Sequence, residues 1–514
     1  MILVALLLAA FVINLDTTIV NVALPALVRE LHATTTELQW VVDAYNLVFA
    51  ALLLTFGSLS DRFGRKGMLL AGLTVFGAAS LAGGFTATPA QLIAARAVMG
   101  LGAAMTFPAT LSLISNIFTA RRERARAIGL WGAIAGVAIA LGPIVGGWLL
   151  EHFSWSSIFV AMAPVAAVAI ALVAACVPAS KDSDAAAADI PGLVLSAASM
   201  GLLVFTVIEA PDYGWASARS LAGFAVAAAL LTGFVWQERR TSHPMLDVRL
   251  FRNMRFSAAS GAVTVAFFTL LGFIFLITLY FQFVKGYAPL STGVRLLPVA
   301  LSVGIGSVAG TQLAVRLGTK LIVTVGLVAM AGFYVWAAAT TSATLGYGTI
   351  AVQMVVYGLG MGLTSAPATE SIMGAVSRRQ AGVGSAVNDT TRLLGGTLGV
   401  AVIGSVYASL YGSRLTGTLP AGLPARASDI AHQSLGAAYA VSARIPGAAG
   451  RAVHDAATNA FLHGLSVGCL VAAGVAAAGA VLAVLFLPAQ PVTPAQPASP
   501  PMPEPGSVDY QPVR

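Results

Sequence analysis

Apolar runs of about 20 residues recur along most of the chain, separated by short polar or glycine-containing breaks. A helix rises 1.5 Å per residue, so about 20 residues span the ~30 Å hydrocarbon layer of a bilayer, and each run predicts a membrane-crossing helix. The spans are 3–27, 39–59, 67–86, 90–115, 125–150, 155–177, 190–209, 219–237, 257–283, 292–315, 319–340, 345–369, 383–411 and 459–487, fourteen in all. Backbone polar groups in lipid must pair within their own segment, and these runs are too long for barrel strands. The expected fold class is therefore an all-α polytopic membrane protein. The first run starts near Met1, as a secretory leader would. It lacks a basic leader and carries Asn14, Asp16 and Asn21, so it reads as the first helix.

Two short elements recur in the same order. Arg62, Gly64 and Lys66, spaced Arg-x-Gly-x-Lys between the second and third helices, return as Arg316, Gly318 and Lys320 between the tenth and eleventh. The stretch GLGAAMTFPATLSLI from Gly100 returns as GLGMGLTSAPATESIM from Gly358. Helices one to six thus match nine to fourteen, with a pair inserted between them. The expected domains are a first half at 1–177, an inserted pair at 190–237 and a second half at 257–487, in a six plus two plus six arrangement. Parallel halves of this kind are the trace of a transporter that rocks one half against the other. The segment 412–458, rich in Ala, Gly and Arg, reads as a loosely ordered outer loop, and the Pro-rich tail 488–514 as disordered.

Composition agrees with lipid as the solvent: 58% hydrophobic residues, 9% charged and a mean hydropathy of +0.86. Cytoplasmic loops collect Lys and Arg, and an inside N-terminus gathers the clusters at 62–66, 121–126, 239–255, 316–320 and 378–379 on one side. Both termini are then expected in the cytoplasm, the net charge of +8 reads as a topology signal, and no nucleic-acid partner is expected. Cys176 and Cys469 sit in or beside apolar helices and the six histidines lack ligand spacing, so neither metal nor disulfide chemistry is indicated. Glycine pairs four residues apart, such as Gly132 with Gly136 and Gly142 with Gly146, read as close-packing seams.

Four motifs stand in order. The loop Gly-x-x-x-Asp-Arg-x-Gly-Arg-Lys comprises Gly57, Asp61, Arg62, Gly64, Arg65 and Lys66; the first helix has LDTTIVNVALP at 15–25; the fourth has Arg96, Gly100 and Gly102; the fifth has Gly136, Gly142, Pro143, Gly146 and Gly147. With these the chain resembles the fourteen-helix drug:proton antiporter branch of the major facilitator superfamily. The resemblance implies multidrug or antibiotic efflux across a bacterial cytoplasmic membrane, with the fifth-helix motif separating antiporters from importers. It also implies an acid on the thirteenth helix, where Asp389 lies.

Charges inside the bilayer are costly unless paired or facing water, so the few present are functional candidates. Asp16, about ten residues before the outer end of its run, and Arg96 are expected to meet in the outer half. Burial favours the neutral acid and a guanidinium the carboxylate, an opposition suited to proton transfer. Asp389 and Arg392, one turn apart, are expected to pair, with Glu370 as a neighbour, and Asp389 is the second candidate for carrying the proton or a cation. Asp43, near Trp40 and Tyr45, reads either as a vestibule charge or as a wet helix-end residue. Asp61 is expected to face the N-terminal end of the thirteenth helix near Gly384 and latch the inner side, while Arg62, Arg65 and Lys66 pair with acids or lipid phosphates.

Asn14, Tyr45, Phe107, Trp131, Phe267, Phe268, Tyr280, Phe281, Tyr357 and Arg392 are candidates for the cargo cavity, where aromatic faces suit organic cations. No Walker-type nucleotide loop is present, so the expected energy source is the proton gradient, without a cofactor. The expected partners are a small-molecule cargo and the lipid bilayer, with the chain working as a monomer. Two alternatives are export of one endogenous metabolite or self-made antibiotic and, from another class, a membrane enzyme or receptor, for which no reactive cluster or soluble signalling domain is visible.

Overall fold

The computed structural model describes residues 1–118, 120–181, 189–241, 244–376, 381–420 and 423–488. The tail from 489, Arg378 and Arg379, and the side chain of Asp61 lie outside the described residues. Every regular element among those described is helical. The first half comprises α1 (Ile2–Leu31), α2 (Thr35–Phe63), α3 (Arg65–Gly83), α4 (Pro89–Ile117), α5 (Arg121–His152), α6 (Ser157–Val160) and α7 (Met162–Cys176). An inserted hairpin, α8 (Ile190–Tyr213) and α9 (Ala218–Arg240), follows. The second half runs through α10 (Met254–Leu279), α11 (Pro289–Arg295), α12 (Leu297–Leu317), α13 (Thr319–Thr340), α14 (Tyr347–Gly374), α15 (Ala381–Thr416), α16 (Ala425–Gln433), α17 (Leu435–Arg444) and α18 (Gly447–Phe486). Among the described residues, fourteen spans are long and apolar enough to cross a membrane, with α6–α7 and α11–α12 each forming one broken span.

Packing repeats between the halves. In the first, α1 packs on α5, α2 on α4, and α3 on α4 and α7; in the second, α10 packs on α15, α12 on α14, and α13 on α14 and α18. The repeated loop motif has a backbone cause. Gly64 (φ 116°) and Gly318 (φ 90°) each end one helix and start the next in a region that side chains disfavour. The inserted hairpin stands outside this duplication, with α8 lying against both α2 and α15.

Segment 412–458 is not a loose loop. Helix α15 extends to Thr416, α18 starts at Gly447, and α16 and α17 fold between them. Leu415, Ala431, Leu435 and Ala438 are buried there, the Tyr411 hydroxyl donates to the Ala431 carbonyl (3.0 Å), and Thr35 of α2 donates to the Gln433 carbonyl (3.3 Å). These helices are too short to register as apolar runs, and their stability comes from packing across the end of both halves.

Among the described residues, the hydrogen bonds that join the halves lie at the end of the bundle opposite the basic loops. Thr35 bonds Gln433; Gln39 bonds the Val400 and Ala401 carbonyls and Ser405; Gln282 bonds the Val22 carbonyl; and the Leu290 amide bonds Glu151. The structure is closed at this end.

Candidate functional site

Asp16 lies midway along the thirty-residue α1, which continues to Leu31 beyond the apolar run. Its Oδ2 is 2.5 Å from Arg96 Nη1, and both side chains are fully buried. Three further contacts fix the guanidinium and its surroundings. Arg96 Nε donates to the Val41 carbonyl (3.0 Å), its Cζ stands 4.3 Å over the Tyr45 ring, and Tyr45 donates to the Ile13 carbonyl (3.0 Å). Gly100 lets α4 close on α2 here, since a Cβ would fall 2.5 Å from the Tyr45 carbonyl oxygen. Asp16 Oδ1 and Arg96 Nη2 are buried without protein partners, which leaves one polar atom of each group for a proton or a passing ligand.

An aromatic series leads away from this pair: Tyr45 to Phe49 (centroids 5.9 Å), Phe49 to Phe107 (5.7 Å) and Phe107 to Trp131 (4.9 Å). Trp131 donates to Thr110 (3.0 Å), so its indole N–H is satisfied and its ring orientation set. Asn14 is half-buried and donates to the Ala10 carbonyl of its own helix (2.8 Å).

Helix α5 links the pair to the closed end. Thr18, two residues beyond Asp16, donates to the Ile139 carbonyl (3.0 Å), with Gly142 against Thr18 and Gly146 against Ile19. Further along α5, Gly147 meets the Pro289–Leu290 backbone of α11, and the Pro143 carbonyl meets Gly293. Four of the five motif positions therefore form seams with α1 or α11. Gly136 does not, because no atom approaches its Cβ position within 4 Å, and Gly132 is equally open.

In the second half, Asp389 and Arg392 approach to 3.9 Å, Arg392 also donates to Thr369 (3.2 Å), and Thr369 donates to Asn388 (3.0 Å). Arg392 is 36% exposed and stands 5.3 Å over Phe267, so the cation of this pair reaches solvent as Arg96 does not, while Asp389 is mostly buried. Glu370 is not part of this network: it is exposed and interacts with Arg255 at the start of α10. Tyr357 belongs to the interior of the second half, bonded to Thr269 (3.2 Å) and packed on Phe273, Phe333 and Tyr334 beside a cavity of about 50 Å³. Phe268 is buried against Gly399 of α15. Tyr280 donates to the Ser342 carbonyl (2.7 Å) and packs on buried Phe281 near the closed end. Lys285, just beyond this span, donates to the Ala343 and Leu345 carbonyls, and burial holds its pKa below the usual lysine value.

Asp43 is not a wet helix end: with the outer end closed it is fully buried. In the basic loop, Gly57 packs near Pro108, and Arg62 lies over Phe63. Arg65 bonds the Ser180 hydroxyl (3.0 Å), and Lys66 donates to the Ala174 carbonyl (2.8 Å) in the last turn of α7. Lys66 thus caps a helix end of its own half, a use of Lys that loop composition does not reveal. Gly384 is buried against Val376 and Met373, while the expected Asp61 contact with it falls on a side chain outside the described residues. Phe49, Gln39, Gln282 and Thr110 escape sequence reading, being single residues inside apolar runs.

The chain is similar to the multidrug efflux pump LfrA of Mycolicibacterium smegmatis, 36% identical over 93% of this chain and 94% of the relative. It is 34% identical to the methyl viologen resistance protein SmvA of Salmonella typhimurium, over 92% and 94% of the two chains. Its fold is similar to a crystal structure of a bacterial homologue of the human lysosomal transporter Spinster in an inward-facing and occupied conformation. The TM-score is 0.65 at 17% identity, covering 94% of this chain and 96% of that one. The family model of the Major Facilitator Superfamily matches residues 6–400. The chain is a multi-pass membrane transporter that belongs to the Major Facilitator Superfamily, in its fourteen-helix drug-efflux type.

Proposed function

We propose that this transporter exports lipophilic small molecules, organic cations among them, in exchange for protons by alternating access. The basic face and both termini are cytoplasmic, the membrane is the bacterial cytoplasmic membrane, and the working unit is a monomer that uses no cofactor. The observation that carries the reading is the buried Asp16–Arg96 pair with one unpartnered atom on each side. Separating such a pair in an apolar core strands two charges, at a cost of several kcal/mol; a proton on Asp16 removes the acid's share, while the Val41 carbonyl and the Tyr45 ring still hold the guanidinium. Protonation of Asp16 therefore loosens α1 from α4. Thr18 then transmits the change to α5, whose far end closes against α11.

Cargo would lie along Phe49, Phe107 and Trp131, where ring faces accept an organic cation. The name of SmvA, a methyl viologen resistance protein, supports this class, since methyl viologen is an aromatic dication. One proton moving inward releases ~2.3 kcal/mol per 100 mV, enough to drive an uphill step of useful size.

The test uses inverted membrane vesicles containing the full chain, a fluorescent lipophilic cation and an imposed pH gradient. Uptake that requires the chain and collapses with a proton ionophore is the expected result. Chain-dependent uptake unchanged by the ionophore would exclude proton exchange.

A further inference from the structure

Asp43 is fully buried, and neither carboxylate oxygen has a hydrogen-bond partner. It lies where three parts of the molecule meet. Gln39 and Asn46 share its face of α2 at helical spacing, and Gln39 bonds α15 through the Val400 and Ala401 carbonyls. Trp40 and Leu47, three residues before and four after it, pack with Val204, Val207 and Ile208 of α8 and Ala401 of α15 in a separate apolar cluster. Asp43 thus sits inside the footprint of the first half on both the inserted hairpin and the second half.

Among the described residues, charged groups along the surrounding helices are engaged elsewhere. Arg96 of α4 holds Asp16 of α1, Glu209 and Asp212 of α8 take Trp40 and Thr36, and Asp389 and Arg392 of α15 face each other. At the ends of neighbouring helices, Glu37 caps α2, and Arg65 and Lys66 of α3 bond Ser180 and Ala174. An ionised carboxylate enclosed without a counter-ion is costly, whereas the neutral acid is tolerated far better.

We infer that Asp43 is a second proton-binding site, and that uptake of its proton permits the outer ends of α2, α8 and α15 to close on one another. On closure a proton from outer water forms an O–H bond on an Asp43 oxygen, and on opening it returns to that water. The inference takes its sense of outer and inner from the transport reading and needs no role for Asp16. Closing binds one proton, so acid favours the closed state by as much as tenfold per pH unit.

The experiment is done without cargo, on the full Asp16→Asn chain in lipid nanodiscs, so failure of the Asp16 mechanism cannot mimic failure here. Spin labels at Glu30→Cys and Arg414→Cys, with Cys176 and Cys469 changed to Ala, report the distance across the outer face. The closed fraction is expected to rise as pH falls, and added Asp43→Asn is expected to abolish that slope and keep the face closed at every pH. If Asp43→Asn does not fold, Asp43→Glu is expected to keep the slope with a shifted midpoint. A slope absent before Asp43 is changed, one that survives Asp43→Asn, or a midpoint unmoved by Asp43→Glu would overturn the inference.

Discussion

Gln282, at the end of the ninth span, donates its side-chain amide to the carbonyl of Val22 in the first half at 2.9 Å. The donor is buried, and the bond joins residues 260 positions apart across the closed end. Gln282→Leu removes it without removing bulk, so closure loses about 1 kcal/mol, roughly a fivefold shift toward the open state. Distance measurements between labels on the two halves at that face check the shift.

The fifth-helix glycines supply a graded series. At Gly147 a Cβ would meet Leu290 Cα at 2.5 Å and the Pro289 oxygen at 2.6 Å, both backbone atoms that cannot rotate away. Gly147→Leu is expected to prevent closure of α5 on α11 and reduce transport at least tenfold at equal abundance. Gly136→Ala, with open space around it, is expected to leave transport within twofold of the native chain. Initial rates of dye efflux distinguish the two.

Arg96 holds Asp16 and the Val41 carbonyl while lying over Tyr45. Lysine keeps the charge but has no planar fork with which to make these contacts together. Arg96→Lys is therefore expected to lose transport nearly as completely as Arg96→Ala, within threefold. Efflux near the native rate in Arg96→Lys would reduce the guanidinium to a point charge.

Much of this arrangement was legible in the sequence. The apolar runs located the spans, the repeated loop and Gly-rich elements divided them, and the scarcity of intramembrane charge singled out Asp16 with Arg96 and Asp389 with Arg392. What escaped depends on residues distant in the chain. Asp43 looks wet until α8 and α15 cover it, and Gln39 looks incidental until its acceptors 361 and 362 residues away are known. Segment 412–458 contains no run long enough to announce its helices, and Gly136 shares the spacing of its neighbours without facing α1 or α11.

The helical cap over the closed end predicts a stability effect. Tyr411 is buried, and its hydroxyl holds the Ala431 carbonyl of α16. Tyr411→Phe removes the donor and leaves that acceptor inside, a loss of about 1–2 kcal/mol. Limited proteolysis of intact cells is expected to cut within 417–446 several-fold faster in the variant, with efflux reduced less than cutting is increased.

The central claim is that Asp16 exchanges the coupling proton. The most direct measurement compares the native chain with Asp16→Asn at equal abundance in the same inverted vesicles, following cargo exchange at equilibrium and cargo accumulation under a pH gradient. The account predicts that Asp16→Asn still exchanges cargo but accumulates none and no longer responds to the gradient. Gradient-driven accumulation by Asp16→Asn equal to that of the native chain would contradict it.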